Sequence, residues 1–259
     1  MIIMQAIDTH CHISHTLKRG LKLNILLQHA QANNVIAIID SPVSIDDYLQ
    51  SIRYHRSNPK KIYVTLGASP AGYHEMNIDE LIGNIRSYAG KKEIVGIGEV
   101  GLDYYWVKDY TIRKKQHETF KRFIDLANEL QLPLIIHSRD AEEEAVKELT
   151  IAETPVIMHS FGGDIDTALE CIDRGHYISI PTCVTNRRKH RRLAKEIPLD
   201  FLITETDSPY LSPFPDKKRN EPANVIYAVK EIAKIKEISE NEVSKVIVNN
   251  AKKIFNLKL

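Results

Sequence analysis

The sequence predicts a (β/α)8 barrel, in which eight parallel strands form an inner cylinder and helices surround it. Three observations support this prediction: apolar segments of strand length recur eight times, amphipathic segments lie between them, and the connections are short. The chain has 259 residues, of which 43% are hydrophobic and 27% charged, so it can bury a large core. No proline- or serine-rich linker divides the sequence. We therefore expect one barrel domain over residues 1–259.

The predicted strands are mostly continuous apolar runs, as expected for strands that are buried on both faces. They cover residues 2–8, 35–40, 62–67, 94–99, 133–137, 155–159, 176–180 and 201–206. A doubly wound open sheet is the alternative fold. It would need fewer strands and usually a glycine-rich phosphate loop, which the sequence lacks.

Between the strands the apolar residues repeat with helical spacing. Clear examples are Leu23, Leu26, Leu27 and Ala30, and later Phe120, Phe123, Ile124 and Ala127. Asp164 is placed to cap a helix that ends at Gly175. Ser239 and Glu242 form a capping-box pattern that predicts the start of the last helix.

Composition limits the possible partners and compartment. Lys and Arg number 35 against 34 Asp and Glu, so an anionic substrate must be attracted by local patches or bound metal. Cys11, Cys171 and Cys183 are odd in number and dispersed, which fits a reducing compartment better than a disulfide framework. The N-terminus lacks a signal-peptide pattern. We expect a cytoplasmic protein without membrane contact, and no obligate protein partner is evident.

Histidines and carboxylates recur where the predicted strands end. In a (β/α)8 barrel the strand ends form the face on which catalytic residues gather. Strand eight also neighbours strand one in a closed barrel, so residues far apart in sequence become neighbours there. The candidate ligands on this face are His10, His12, Glu99, His137, His159 and Asp207.

This mixed set of nitrogen and oxygen donors is typical of a site for two divalent ions, such as Mg, Mn or Zn. Any one of these histidines alone would more often be a structural residue, and it is their order along the barrel that indicates a metal site. We predict His10, His12 and Asp207 on one ion, His137 and His159 on the other, and Glu99 bridging both. The other histidines are interpreted as structural: His15, His29, His55, His74, His117, His176 and His190.

Six sequence motifs, taken in order, resemble the TatD family of metal-dependent deoxyribonucleases, within the wider amidohydrolase-like barrels. They are Asp8-Thr9-His10-Cys11-His12, Gly98-Glu99-Val100-Gly101-Leu102-Asp103-Tyr104-Tyr105, His137-Ser138-Arg139, His159-Ser160-Phe161-Gly162-Gly163, Glu205-Thr206-Asp207-Ser208-Pro209-Tyr210-Leu211 and Arg219-Asn220-Glu221-Pro222-Ala223-Asn224. The resemblance implies a two-metal hydrolase acting on DNA, with the same ligands. One departure concerns the turn after strand three, where Ser69 replaces the usual family histidine of the substrate pocket.

The expected reaction is phosphodiester hydrolysis, in which two ions hold a hydroxide and neutralise charge on the phosphoryl oxygens. Asp207 is the predicted proton acceptor, and Glu99 completes the catalytic centre by bridging the ions. Glu205 lies two residues before Asp207, so in a strand its side chain points to the same side, one layer deeper. It is predicted to orient a ligand. Asp8 shares a face with His10 and His12, which favours the same supporting role.

Polar and aromatic residues on the same face are candidate substrate contacts, with DNA in single-stranded form or at frayed ends as the expected substrate. Arg139 is placed either to receive a phosphate or to form an ion pair with Asp103, Asp140 or Glu142. A positive collar is predicted from Arg187, Arg188, Lys217, Lys218 and Arg219. Tyr104, Tyr105, Trp106 and Tyr210 are candidates for base stacking or for packing. The predicted contacts are Ser69, Tyr105, Arg139, Ser160 and Arg219.

Two other functions are compatible with this scaffold. A small-molecule amidohydrolase or phosphotriesterase would commonly bridge its ions through a modified lysine on strand four, whereas this strand ends in Glu99. A metal-bound nucleic-acid-binding protein without catalytic activity is disfavoured by the intact set of ligands. Only Ser69 supports it.

Overall fold

The computed structural model describes residues 4–217 and 219–259, and the strands in this part form one eight-stranded parallel sheet. The strands pair in sequence order and build a (β/α)8 barrel, as predicted. They are β1 (Ala6–Cys11), β2 (Val35–Asp40), β3 (Ile62–Leu66), β4 (Gly96–Asp103), β5 (Leu134–Arg139), β6 (Val156–Met158), β7 (Tyr177–Pro181) and β8 (Leu202–Glu205).

Backbone hydrogen bonds join the end of β8 to β1. The amide of Asp207 donates to the carbonyl of His10 at 3.0 Å, and the amide of His12 donates to the carbonyl of Ser208 at 2.8 Å. These bonds link the segment after β8 to the end of β1. They therefore fix Asp207 beside His10 and His12, although almost 200 residues of chain separate them.

Helices follow the strands and cover the outside of the sheet. They are α1 (Ile13–Lys18), α2 (Leu23–Ala32), α3 (Ile45–Ser57), α4 (Ile78–Gly90), α5 (Tyr110–Leu130), α6 (Glu142–Glu148), α7 (Ile165–Asp173), α8 (Arg188–Glu196), α9 (Val225–Lys236) and α10 (Glu240–Phe255). The predicted N-caps are confirmed: Asp164 accepts a bond from the amide of Thr167, and Ser239 accepts one from the amide of Glu242. None of the described helices is long and apolar enough to cross a membrane.

The strands bury both faces, which explains their continuous apolar sequences. On β2, Ile38 packs with residues of the surrounding helices, whereas its neighbour Ile39 belongs to a second cluster with Ile135 and Ile203. Residues of α10, including Val248, complete this second cluster. The apolar core therefore fills both the interior of the barrel and the layer beneath the helices.

Most strand limits differ from the prediction by one or more residues, and three of these differences concern the site. Strand β4 continues past Glu99 to Asp103, because the glycine-containing segment still pairs with β5, with Gly101 opposite His137. Strand β8 ends at Glu205, so Asp207 lies beyond it. Strand β1 continues past residue 8 to Cys11, so His10 lies within it, and residues 2 and 3 of the predicted strand lie outside the described residues.

Candidate metal centre

Glu99 lies at the centre of the six predicted ligands, and its two carboxylate oxygens face different histidines. Oε2 is 3.2 Å from Nε2 of His10 and 3.8 Å from Nε2 of His12. Oε1 is 3.1 Å from Nδ1 of His137. One carboxylate thus divides its oxygens between the β1 side and the β5 side of the barrel.

Asp207 completes the β1 side of the centre. Its Oδ1 lies 3.2 Å from Nε2 of His12 and 4.0 Å from Nε2 of His10. The residue adopts a left-handed backbone conformation, with φ of 53°. Asp207 lies beyond β8, so the alternation of side chains along a strand does not determine its direction. This turn and the backbone bond to His10 of β1 set it instead.

Hydrogen bonds on the outer side of two histidines determine which ring nitrogen faces the centre. Nδ1 of His12 donates to the carbonyl of Ser41 at 2.6 Å, which leaves Nε2 pointing inwards. Nε2 of His137 donates to Oδ2 of Asp103 at 2.8 Å, which leaves Nδ1 pointing inwards. Partners of this kind fix the tautomer and orientation of metal-binding histidines.

His159 and Glu205 form the floor of the centre. Nδ1 of His159 lies 2.9 Å from Oε1 of Glu205, and the carboxylate is completely buried. The His159 ring stacks on His10 with 3.7 Å between ring centroids. Glu205 therefore contacts a predicted ligand from behind, which is the supporting position expected from the sequence.

The donor atoms lie close enough together to hold a metal ion. Both ring nitrogens of His10 are buried without a hydrogen-bond partner among the described residues, a costly state unless another group binds there. Donor atoms lie within 4.8 Å of one another in three overlapping groups. These groups are His10, His12 and Glu99; His10, His159 and Asp207; and Glu99, His137 and His159. The residues present thus fit a metal centre.

Close contacts between carboxylates and histidines shift the pKa values of both in the centre. Burial alone would raise the pKa of Glu99, but the imidazoles of His10 and His137 outweigh it and hold that pKa well below its usual value. Burial would likewise lower the pKa of His137, yet Asp103 and Glu99 raise it to about 10. The Glu99 carboxylate is therefore ionised at neutral pH, as an oxygen ligand for a cation must be.

Asp8 does not face the histidines. Its carboxylate accepts bonds from the amide and hydroxyl of Thr206, at 2.8 and 2.6 Å. The pairing of β1 with β2 shifts register between Asp8 and Cys11, so strict alternation along β1 fails. Asp8 therefore does not share a face with His10 and His12, and its supporting contact is with Thr206, the residue before the predicted ligand Asp207. Asp8 instead ties β1 to the segment that carries Asp207.

Among the described residues Arg139 forms no ion pair with Asp103, Asp140 or Glu142, which was one of the two roles that the sequence suggested. It is exposed at the end of β5, three residues before the first residue of α6. Its guanidinium lies 3.7 Å from the ring centroid of Tyr105. Tyr105 and Trp106 are 42% and 67% exposed, so this stack faces solvent. It is available for a substrate contact.

The remaining predicted substrate contacts differ in how far they are exposed to solvent. Ser69 is half-buried before the short helix Pro70–Glu75, and Ser160 is half-buried directly after His159. Arg219 is exposed. Tyr104 anchors its loop, since its hydroxyl lies 2.5 Å from Nε2 of His117.

The positive collar is only partly formed. Arg187 and Lys217 line one pocket together with Arg19. Arg188 is the first residue of α8 and is not among the described residues that line this pocket. The predicted contribution of Lys218 lies outside the described residues.

Sequence reasoning missed two supports and one neighbour of the centre. Asp103 has the same strand parity as Glu99, which is a signal that could have identified it. Ser41 acts through its backbone carbonyl, so its residue type carries no signal. His15 was interpreted as structural, but its ring lies 5.5 Å from that of His12, and its Nδ1 is 3.4 Å from the hydroxyl of Tyr210.

Comparison with known proteins gives consistent results. Residues 7–256 match the family described as TatD related DNase. The chain is 35% identical over 255 residues to the uncharacterized metal-dependent hydrolase MJ1582 of Methanocaldococcus jannaschii, and 98% of each chain is covered. It is 30% identical over 262 residues to tatdn3 of Danio rerio, and 96% of each chain is covered. The crystal structure of YjjV, a TatD homologue from Escherichia coli, superposes with a TM-score of 0.88 at 23% identity, over 99% of this chain and 100% of that one.

Proposed function

This chain belongs to the family of TatD-related DNases, and we propose that it is a metal-dependent hydrolase that cleaves phosphodiester bonds of DNA. The proposal includes two divalent ions, Mg, Mn or Zn, bound by His10, His12, Glu99, His137, His159 and Asp207. The names of its relatives support it, since one refers to a metal-dependent hydrolase and another to a deoxyribonuclease.

The observation that carries the proposal is the division of the Glu99 carboxylate between two groups of histidines. A carboxylate placed in this way can bridge two cations through its two oxygens. His10, His12 and Asp207 would bind the ion on the β1 side, and His137 and His159 the ion on the β5 side. Bound divalent ions supply an activated water at neutral pH and neutralise the charge that develops on the phosphoryl oxygens.

The protein's own carboxylates have distinct roles in this proposal. Asp207 is 14% exposed at its side chain, so it can reach a water molecule at the mouth of the centre and accept its proton at a carboxylate oxygen. His12 outweighs the effect of burial and lowers the pKa of Asp207, which keeps it ionised and ready to accept. Glu205 is completely buried and acts on His159 instead of the substrate.

The surface around the centre supports a nucleic-acid strand as substrate. Arg139, Tyr105 and Trp106 form an exposed cationic and aromatic stack beside β4 and β5. Such surfaces bind unpaired nucleotides by combining stacking on bases with attraction to phosphates. A small neutral substrate would use neither property.

A digest of end-labelled single-stranded DNA tests the proposal. We expect cleavage with added Mg²⁺ or Mn²⁺, none after chelation, and none with Glu99→Ala under the same conditions. Cyclic amides and phosphotriesters serve as competing substrates. The proposal would be wrong if metal-loaded protein hydrolysed these and left DNA intact, or if it bound metal but hydrolysed nothing.

A further inference from the structure

Strand β4 extends further towards the metal centre than its neighbour β3. The pairing of β3 with β4 ends at Leu66 and Ile97, whereas β4 continues to Asp103 and stays paired with β5. Among the described residues no strand pairs with the other edge of β4 beyond Ile97. Buried backbone amides on that edge need partners from elsewhere, because leaving them unpaired is costly.

Two buried side chains supply these partners. The amide of Gly101 donates to the hydroxyl of Tyr73 at 3.0 Å. The amide of Asp103, two residues further along the strand, donates to Oε1 of Gln116 at 3.1 Å. Tyr73 belongs to the short helix after β3, and Gln116 belongs to α5. Side chains therefore take the place of a strand along this edge of β4.

Gln116 uses both polar atoms of its side chain. Besides the bond at Oε1, its Nε2 donates to the carbonyl of Pro70 at 3.0 Å and to that of Asp103 at 3.4 Å. An amide suits this position because one planar group offers both an acceptor and two donors. The residue is completely buried. It therefore ties the end of β4 to the turn after β3, directly beside the predicted substrate contact Ser69.

The residue that Gln116 holds is also the one that orients His137. Nε2 of His137 donates to Oδ2 of Asp103 at 2.8 Å, and its Nδ1 faces the Glu99 carboxylate. Oδ1 of Asp103 accepts a bond from the amide of Trp106 at 2.8 Å. Gln116 thus fixes the backbone of Asp103, and a displacement of that backbone would change the direction of Nδ1 of His137.

We propose that Gln116 is a positioning residue of the metal centre, which acts through Asp103 to aim His137 at the ion on the β5 side. Replacing a residue that supports a metal-binding histidine typically changes metal affinity by about 10–100-fold. The ion on the β1 side should keep its affinity, since Ser41 and not Asp103 supports His12. The inference deepens the proposed function and rests on it, because it assumes that an ion binds at His137.

Calorimetric titration of Mn²⁺ into the metal-free protein tests this role without requiring turnover. The binding step that His137→Ala weakens identifies the ion on the β5 side. Gln116→Met keeps a side chain of similar size without the amide, and we expect it to weaken that ion by at least about 10-fold and to leave the other unchanged. Gln116→Asn, whose amide is one methylene too short to reach Asp103, should have the same selective effect, and it tests the role if the methionine variant does not fold.

Two controls separate positioning from a general loss of stability. Leu126→Ala removes buried contacts of the same helix, α5, and should leave both Mn²⁺ affinities unchanged. In an Asp103→Ala background the support of His137 is already lost, so Gln116→Met should cause no further loss at the β5 side. Full additivity of the two losses, equal weakening of both ions, or a loss of the same size in Leu126→Ala would overturn the inference.

The same titrations separate this inference from the proposed function. Two ions in the wild-type protein, with no selective loss in either variant of Gln116, would overturn the role of Gln116 alone. A single ion in the wild-type protein would contradict the proposed two-metal centre. A selective loss in the Gln116 variants, together with DNA that stays intact in the digest described above, would refute the nuclease proposal and leave the positioning role standing.

Discussion

Glu99 contacts both groups of histidines, so its loss should affect two ions at once. We predict that Glu99→Ala abolishes hydrolysis and sharply lowers metal occupancy at both positions, because one carboxylate serves both. His137→Ala should deplete mainly the ion on the β5 side, since its ring contacts only Oε1 of Glu99. Metal content by mass spectrometry of the purified variants measures this. Selective loss of the same single ion in both variants would contradict the bridging role.

Asp207 and Glu205 are two residues apart, yet the structure places them differently. Asp207 reaches the mouth of the centre, whereas Glu205 is buried behind His159. We predict that Asp207→Asn lowers turnover on DNA by about 10²–10⁴-fold, the usual effect of removing a proton acceptor. Glu205→Gln should cost about 10–100-fold by disturbing a ligand. The measurement is turnover on DNA at saturating Mg²⁺ or Mn²⁺. A lower turnover for Glu205→Gln than for Asp207→Asn would show that the two roles are reversed.

At the scale of residues, the sequence was sufficient to predict that the six candidate ligands lie close together, because the strand ends of a barrel share one face. It could not identify Ser41, which acts through a carbonyl group. It also misjudged Asp8, since a register shift in β1 turns this side chain towards Thr206. Local irregularity and backbone contacts leave no periodic pattern to detect.

At the scale of elements, the pairing of β4 with β5 depends on a glycine. Gly101 has φ of 136°, and a Cβ atom there would lie 2.1 Å from the carbonyl oxygen of His137. We predict that Gly101→Ala destabilises the protein by roughly 1–3 kcal/mol, the range for overpacking, and weakens metal binding at His137. Urea denaturation with and without metal measures both effects.

Gly83→Ala is the control for this variant. Gly83 lies within helix α4, and a Cβ atom there meets nothing within 4 Å. The added methyl group should stabilise the helix by about 0.5–1 kcal/mol. Similar destabilisation in both variants would show that the close approach of β4 to β5 is not responsible.

His176, just before β7, makes the protein sensitive to acid. Burial, with a smaller effect of Arg174, lowers its pKa to about 4 from an ordinary value near 6.5. Below pH 6.5 the unfolded chain binds a proton that the folded protein refuses, so stability falls as the pH drops from 6.5 to 4. The loss reaches roughly 3 kcal/mol at most. We predict a flatter pH dependence of unfolding free energy for His176→Gln, and unchanged curves would contradict this assignment.

The elements themselves were largely predictable, because buried strands and amphipathic helices carry distinct periods. The predicted second strand, 35–40, has the observed limits of β2. The end of β4 was missed, since Gly98 to Asp103 do not form an apolar run, and pairing with β5 determines their conformation.

At the scale of the whole molecule, the alternation of eight strands with helices was enough to predict the barrel. We also propose that residues 1–259 act as one domain, since the family match extends over residues 7–256. The pocket that is lined by Arg19, Arg187 and Lys217 was not predictable in the same way. Its lining comes from Arg19, Arg187 and the segment around Tyr210, which only the closed barrel brings together.

Anomalous diffraction from a Mn²⁺-loaded crystal is the measurement that tests the shared metal centre most directly. We predict two peaks about 3.5–4 Å apart, one on each side of the Glu99 carboxylate. The first should lie near His10, His12 and Asp207, and the second near His137 and His159. A single peak, or two peaks that do not share Glu99, would contradict the proposed two-metal centre.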